Sequence, residues 1–128
     1  MIVAGVGFRQ SVEADEIVAL VEQALERASF TRDALGKLAT IEALASLPAF
    51  MEAARRLDVA AARVAEPALL AAAPHVRTQS TRSIAAHGVG SVAEATALGA
   101  AGPHAELILE RIASGSATCA LARLETGS

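Results

Sequence analysis

Short apolar runs alternate with stretches of helical period along the first part of the chain. Residues 2–6 form an apolar run that is closed by glycines, which is typical of a strand buried on both faces. Apolar residues then recur every three or four positions over about 12–28, and acidic residues crowd the first turn, where the helix dipole favours anions. After a short cap and turn at Thr31 and Asp33, the pattern predicts a second strand over 37–42.

The middle of the chain predicts two more helices, with a strand between them, before the period is lost. Ser46 followed by Pro48 is a favoured helix start, and the apolar residues that follow supply one face. A third strand is expected at 59–64, and a brief helix rich in alanine and leucine at 67–73. No helix or strand is predicted over 75–87, where the polar residues have no dependable period.

The last third of the chain predicts a helix and a hairpin. Ser91 and Glu94 have the spacing of a capping box, which marks the start of a helix. Two strands are expected at about 106–112 and 117–123, joined by a Ser-Gly-Ser turn. Alternating strands and helices followed by a terminal hairpin predict one α/β domain over 1–128, with a mostly parallel sheet and an antiparallel edge.

Composition excludes several classes of protein. The chain is 53% hydrophobic, which excludes disorder, yet only 2% aromatic. Its net charge of −3 argues against nucleic acid or an anionic membrane as a partner, and the scattered Phe8, Phe30 and Phe50 offer no stacking platform for bases. Because the apolar residues are mostly Ala, Val and Leu, the elements must approach one another closely.

Cysteine usage and the N-terminal segment point to the cytoplasm. Cys119 is the only cysteine, so the chain has no intramolecular disulfide and no cysteine cluster for zinc. No signal-type segment and no run of apolar residues long enough to cross a membrane is present. We expect a soluble cytoplasmic protein with no bound cofactor and no metal site.

A gap in the acidic residues is the most informative chemical pattern. The segment from Pro67 to Ala93, called the acid-free segment below, has no Asp or Glu. Its basic residues are His75, Arg77, Arg82 and His87. Hydroxyl and amide side chains such as Ser80 add donors for carboxylate or phosphate oxygens, and the segment ends at the glycine turn before Ser91, where a helix N-terminus can bind an anion. An ordinary solvated loop explains the same pattern about equally well.

The first glycine turn, Gly5 to Ser11, carries similar chemistry. Small residues allow close approach to the backbone, and Arg9 supplies a bidentate donor. The full dinucleotide-binding fingerprint is missing, so a tight connection from strand to helix is the favoured interpretation of this turn taken alone. Because strand ends of an open α/β sheet meet at one edge, the two glycine turns together predict a ligand site there.

Catalytic groups are poorly represented. The three histidines, at 75, 87 and 104, lack the spacing of a metal-binding pair, and each is better interpreted as a surface or hydrogen-bonding residue. Cys119 lies in an alternating apolar strand and is expected in the core rather than at a reactive site. Ser91 is better explained as a helix cap than as an activated hydroxyl.

Four short motifs in order carry a resemblance to a known family. They are Gly5-Val6-Gly7-Phe8-Arg9, Leu38-Ala39-Thr40-Ile41, Gly88-Val89-Gly90-Ser91-Val92-Ala93-Glu94-Ala95 and Ala117-Thr118-Cys119-Ala120-Leu121-Ala122. Together they resemble the CobE/CbiG C-terminal family of cobalamin biosynthesis over nearly the whole chain. The most specific part is the second glycine turn with the Ser-Val-Ala-Glu-Ala run behind it.

The resemblance implies a three-layer α/β/α domain with a mixed, mostly parallel sheet and a C-terminal antiparallel hairpin. The chain is similar to the stand-alone, CobE-like form of the aerobic route, since it has no room for the additional N-terminal region of the related cobalt-precorrin-5A hydrolase. The implied partner is a corrinoid or precorrin intermediate, whose acetate and propionate groups surround a flat apolar macrocycle. The expected ligand-binding residues are Gly7, Arg9, Arg77, Ser80, Arg82, His87, Gly88, Gly90, Ser91 and Arg111.

Two other functions stay open on the sequence. Relatedness to the hydrolase leaves a lactone hydrolase or ring-modifying enzyme as one alternative, although the sequence supplies no catalytic residues that can be named. The other alternative is a partner module that escorts labile intermediates between precorrin-modifying enzymes.

Overall fold

Five strands and six α-helices make up the computed structural model, which describes residues 1–124. The last four residues of the predicted 1–128 domain lie outside the described part. The elements are β1 (Ile2–Phe8), α1 (Ala14–Arg27), β2 (Leu35–Ile41), α2 (Glu42–Ala45), α3 (Pro48–Leu57), β3 (Ala60–Val64), α4 (Glu66–Ala72), α5 (Thr81–His87), α6 (Val92–Ala101), β4 (Ala105–Ala113) and β5 (Ala117–Leu124). Short 3-10 turns occur at Arg32–Ala34 and Ala73–His75.

The strands form one mixed sheet in the order β3-β2-β1-β5-β4. β1, β2 and β3 pair in parallel, whereas β5 is antiparallel to both of its neighbours, β1 and β4. Four of the five strands therefore point the same way, which confirms the predicted α/β class with its C-terminal hairpin. The reversed strand lies inside the sheet instead of at its edge, because β5 pairs along its length with β1 and leaves β4 as the edge strand.

Each face of the sheet buries its own core, so the predicted three layers are confirmed. Along β1, Ile2, Ala4 and Val6 point to the face covered by α1 and α3. Val3 points to the opposite face, which α4 and α6 cover. This alternation follows from the period of two along a strand, and it explains why β1 is apolar at every position.

Helix α6 approaches the sheet unusually closely and is buried on nearly all sides. A side chain at Gly5 would meet the α6 backbone at the Ala93 carbonyl oxygen and the Ala97 nitrogen, so only glycine fits there. The alanine-rich composition of α6 serves the same contact, because small side chains allow the helix backbone to lie against the strands.

The prediction that 75–87 contains no element was wrong, because Thr81–His87 forms α5. No residue of this helix is buried, so it has no hydrophobic period by which the sequence could reveal it. The sequence signals for α5 lie at its two ends instead. The Ser80 hydroxyl accepts the Ser83 N–H, and Gly88 ends the helix with a φ of 78°, a conformation that favours glycine.

Two further boundaries differ from the predicted ones. β1 extends to Phe8, so Gly5 and Gly7 lie within the strand rather than in a turn after it. β2 ends at Ile41, and Glu42 starts the short helix α2, which the sequence did not predict.

Candidate functional site

An open cavity of about 510 Å³ lies where β1 ends and β5 begins. β1 leads through α1 to β2 on one side, whereas its other neighbour is β5, so the cavity lies at the point where the strand order changes direction. Ligands of open α/β sheets bind at such points, outside the carboxyl ends of the strands. Seven of the ten predicted site residues line the cavity, namely Gly7, Arg9, Ser80, Arg82, His87, Ser91 and Arg111.

Three arginines from separate parts of the chain converge on this cavity. Arg9 follows β1, Arg82 lies on α5 and Arg111 lies on β4, and all three are exposed. Among the described residues, none of their guanidinium groups has a carboxylate within ion-pair distance. Within residues 1–124, no Asp or Glu lines the cavity. The described lining of the cavity is therefore cationic although the whole chain is acidic.

The other three predicted residues lie outside the cavity lining. Arg77 faces Glu110, with 3.8 Å between Nη1 and Oε1. Gly88 is exposed at the end of α5. Gly90 is buried where the 78–79 backbone crosses it, so the second glycine turn serves packing at this residue. Because these three residues do not line the cavity, their role in ligand binding stays a prediction.

Sequence reasoning missed the apolar wall of the cavity and the hydroxyl groups of the hairpin. Phe8 lines the cavity and stacks on Phe50, with 6.1 Å between ring centroids. The two rings are distant in sequence and meet only because α3 and the end of β1 contribute to the same core, so no local signal could have paired them. Ser114 and Ser116 also line the cavity, from the turn that the sequence indicates only as a connection between two strands.

The carboxylate that contacts this turn, that of Glu16, is hydrogen-bonded within the protein. Glu16, in the first turn of α1, accepts hydrogen bonds from the Ser114 hydroxyl and, at 2.6 Å, from the Ser116 N–H. These two bonds lower the pKa of Glu16. The contact ties the hairpin to α1 and gives the charge of Glu16 partners within the protein.

A second carboxylate, that of Glu94, is fully buried behind the cavity. Its Oε1 accepts the N–H groups of Arg77 and Thr78 at 2.7 and 3.0 Å, and its Oε2 accepts the Thr78 hydroxyl and the Arg111 N–H. Burial opposes ionisation, but these hydrogen bonds outweigh it and lower the pKa of Glu94. Ser91 caps α6 by accepting the Glu94 N–H, so the capping-box spacing predicts the helix start correctly, while the Glu94 carboxylate goes to other partners.

Of the other potentially reactive side chains, Cys119 is buried and the three histidines lie apart from one another. Cys119 is fully buried, which raises the pKa of its thiol to about 12 and confirms the prediction of a core residue. His87 lines the cavity, whereas His75 lines a separate cavity of about 340 Å³ between α4 and α6, and His104 lies in an exposed turn. Within residues 1–124, no group of three or more His, Cys, Asp or Glu residues is placed to hold a metal ion.

Comparison with known proteins identifies the family. The sequence profile of the family described as "Cobalamin synthesis G C-terminus" matches residues 2–122. The chain belongs to this family. Protein CobE of a Sinorhizobium species is 37% identical over 121 residues, covering 94% of this chain and 79% of the relative.

Solved structures of family members have the same fold. The crystal structure of CobE, described as a protein from the cobalamin (vitamin B12) biosynthetic pathway, superposes with a TM-score of 0.90 at 29% identity and covers 98% of this chain and 91% of that one. Cobalamin biosynthesis protein chiG from Agrobacterium tumefaciens gives 0.73 at 33% identity, with 98% and 99% covered. A cobalamin biosynthesis protein G homolog from Sulfolobus solfataricus gives 0.69 at 28% identity, with 97% of this chain but 36% of that chain covered.

These matches confirm the predicted CobE/CbiG C-terminal family and make the chain a cobalamin biosynthesis protein. No helix in the described part of the chain is both long and apolar enough to span a membrane.

Proposed function

We propose that this cobalamin biosynthesis protein binds a carboxylate-rich precorrin or corrinoid intermediate of the aerobic route, in the cytoplasm. The observation that carries the proposal is the convergence of Arg9, Arg82 and Arg111, without ion-pair partners among the described residues, on one cavity with no acidic lining residue. Guanidinium groups bind carboxylates in a bidentate manner, and corrin precursors carry several acetate and propionate groups on the rim of the macrocycle.

The apolar part of the cavity suits the macrocycle itself. Phe8, Val92 and Ala117 form a wall without charge beside the arginines. The volume of about 510 Å³ is within the range of small-molecule sites. Because the cavity is open, we expect it to hold one edge of the macrocycle, with the carboxylates of that edge at the arginines and the opposite edge in solvent.

Titration of the purified protein with hydrogenobyrinic acid, followed by absorbance, tests this proposal. We expect saturable binding by the wild type and about tenfold weaker binding by Arg9→Ala and by Arg82→Ala, since each loses a charge-assisted contact. The matched control is Arg27→Ala, which removes an exposed arginine at the opposite end of α1. Absence of binding, or equal affinities for the control and the two cavity variants, would contradict the site.

The hydrolase alternative finds no specific support in the cavity. Among the described lining residues, His87 carries the side-chain type that most often serves in general acid–base catalysis. The Ser91 hydroxyl caps α6, and the Ser83 hydroxyl donates to the Val89 carbonyl oxygen, so neither is paired with a base. The Ser114 hydroxyl donates to the Glu16 carboxylate, whose lowered pKa makes it a weak base. Incubation with the methylated lactone precursor and an assay for acetaldehyde distinguishes the two functions, since a protein that only binds corrinoids releases none.

The escort alternative concerns partners rather than the cavity. Co-purification with a precorrin methyltransferase in the absence of any corrinoid would favour a partner module. Under the binding proposal, association with precorrin-modifying enzymes depends on the bound intermediate.

A further inference from the structure

The edge strand β4 departs from regular pairing at the cavity. Its register against β5 shifts between Leu109 and Ile112, so Arg111 lies in an irregular stretch of the strand. The Arg111 N–H donates instead to Oε2 of Glu94 at 2.9 Å. Irregularities of this kind redirect side chains next to binding sites, and here the buried carboxylate holds the backbone that carries a cavity arginine.

The same carboxylate also holds the segment that leads into α5. Oε1 accepts the N–H groups of Arg77 and Thr78, and the Thr78 hydroxyl donates to Oε2. Ser80, two residues later, caps α5, and its N–H donates to the Gly90 carbonyl oxygen at 2.9 Å. Because α5 buries no residue of its own, its position depends on these fixed ends.

We infer that Glu94 is a positioning residue, whose carboxylate fixes the two cationic walls of the cavity, at Arg111 on β4 and at Arg82 on α5, relative to each other. Only the expected effect of Glu94 on ligand binding rests on the proposed function. The hydrogen bonds themselves are a property of the protein without ligand.

The chemistry of the surroundings explains why a glutamate occupies this position. All four groups that face the two oxygens are donors, namely three backbone N–H groups and one hydroxyl. A carboxylate accepts from all of them, and such charge-assisted bonds are stronger than neutral ones. A glutamine of the same shape would turn its NH₂ group towards donors on one side and would leave at least one N–H without an acceptor.

Amide hydrogen exchange of the protein without ligand is the first test, with Glu94→Gln as the variant. In the wild type we expect slow exchange at the amides bound by the carboxylate, those of Arg77, Thr78 and Arg111. In the variant these amides should exchange about tenfold faster or more, while the amide of Leu121 in the β1–β5–β4 ladder keeps its rate. Unchanged rates at the three amides, or an equal acceleration at Leu121, would overturn the inference.

A double-mutant cycle with hydrogenobyrinic acid is the second test. Glu94→Gln is expected to weaken binding about tenfold in the wild-type background, and by much less when Arg111 is already replaced by Ala, because Glu94 acts partly through that side chain. An equal loss in both backgrounds would mean that Glu94 does not act through Arg111, which would overturn the inference. If the wild type binds no corrinoid, the proposed function fails, and the exchange experiment decides the role of Glu94.

A milder variant covers the case in which Glu94→Gln does not fold. Thr78→Val removes the hydroxyl that donates to Oε2 and keeps the three N–H donors. It should accelerate exchange at the Arg111 amide by about threefold, and Thr78→Ser should restore the wild-type rate, because it retains the hydroxyl. Equal behaviour of the Val and Ser variants would contradict the inference.

Discussion

At the scale of single residues, Gly5 determines how closely α6 approaches the sheet. A Cβ atom at this position would meet backbone atoms of Ala93 and Ala97, which cannot move as a flexible side chain can. The sequence indicates a strand with small residues here, but it does not indicate which partner needs the space. That partner is a helix almost ninety residues further along the chain.

We therefore expect Gly5→Ala to lower the free energy of unfolding by about 3 kcal/mol, because α6 must shift away from β1. Gly115→Ala is the control, since a Cβ there would lie 4.0 Å from Oε2 of Glu16, an ordinary van der Waals contact, and should change stability by less than about 0.5 kcal/mol. Urea denaturation followed by circular dichroism measures both. Equal stability of the two variants would contradict the close packing of α6.

Other residues follow from local signals or escape them for a definable reason. The Ser91 cap and the core position of Cys119 were predictable, because a cap spacing and an alternating strand are local patterns. The hydrogen-bond partners of Glu94 were not predictable, because they lie on an irregular part of β4 and on a segment seventeen residues away. The end of the acid-free segment at Glu94 is the sequence feature that points to this residue.

At the scale of elements, strong periodicity made α1, α3 and the strands predictable, whereas α5 was missed because its residues bury nothing. α5 and β4 carry two of the three cavity arginines, Arg82 and Arg111, and the Glu94 carboxylate links the approach to α5 with β4. The stability of this link should therefore depend on the ionisation of Glu94.

The pKa of Glu94 is lowered in the folded protein from an ordinary value of 4.5. A carboxyl group with a lowered folded pKa stabilises the protein above its unfolded pKa, and this contribution is lost as the pH falls through the folded pKa. The free energy of unfolding of the wild type should exceed that of Glu94→Gln most clearly above pH 5, and the difference should shrink below pH 4.5. Denaturation series from pH 3 to pH 7 measure it, and a difference independent of pH would show that the charge is not responsible.

At the scale of the whole molecule, the order of the strands creates the cavity. The sequence predicts the α/β class and the terminal hairpin, because alternation and turn residues are local. It does not predict that β5 pairs with β1, a contact between residues more than a hundred positions apart, such as Thr118 and Gly7. This pairing places Arg111 of β4 and Arg9 after β1 around one cavity.

The most direct test of the central claim is a crystal structure of the protein with hydrogenobyrinic acid bound. We predict that the macrocycle lies at the carboxyl edge of β1, with its carboxylates at hydrogen-bond distance from the guanidinium groups of Arg9, Arg82 and Arg111. A ligand in the cavity between α4 and α6, or one without a carboxylate contact to these arginines, would contradict the claim.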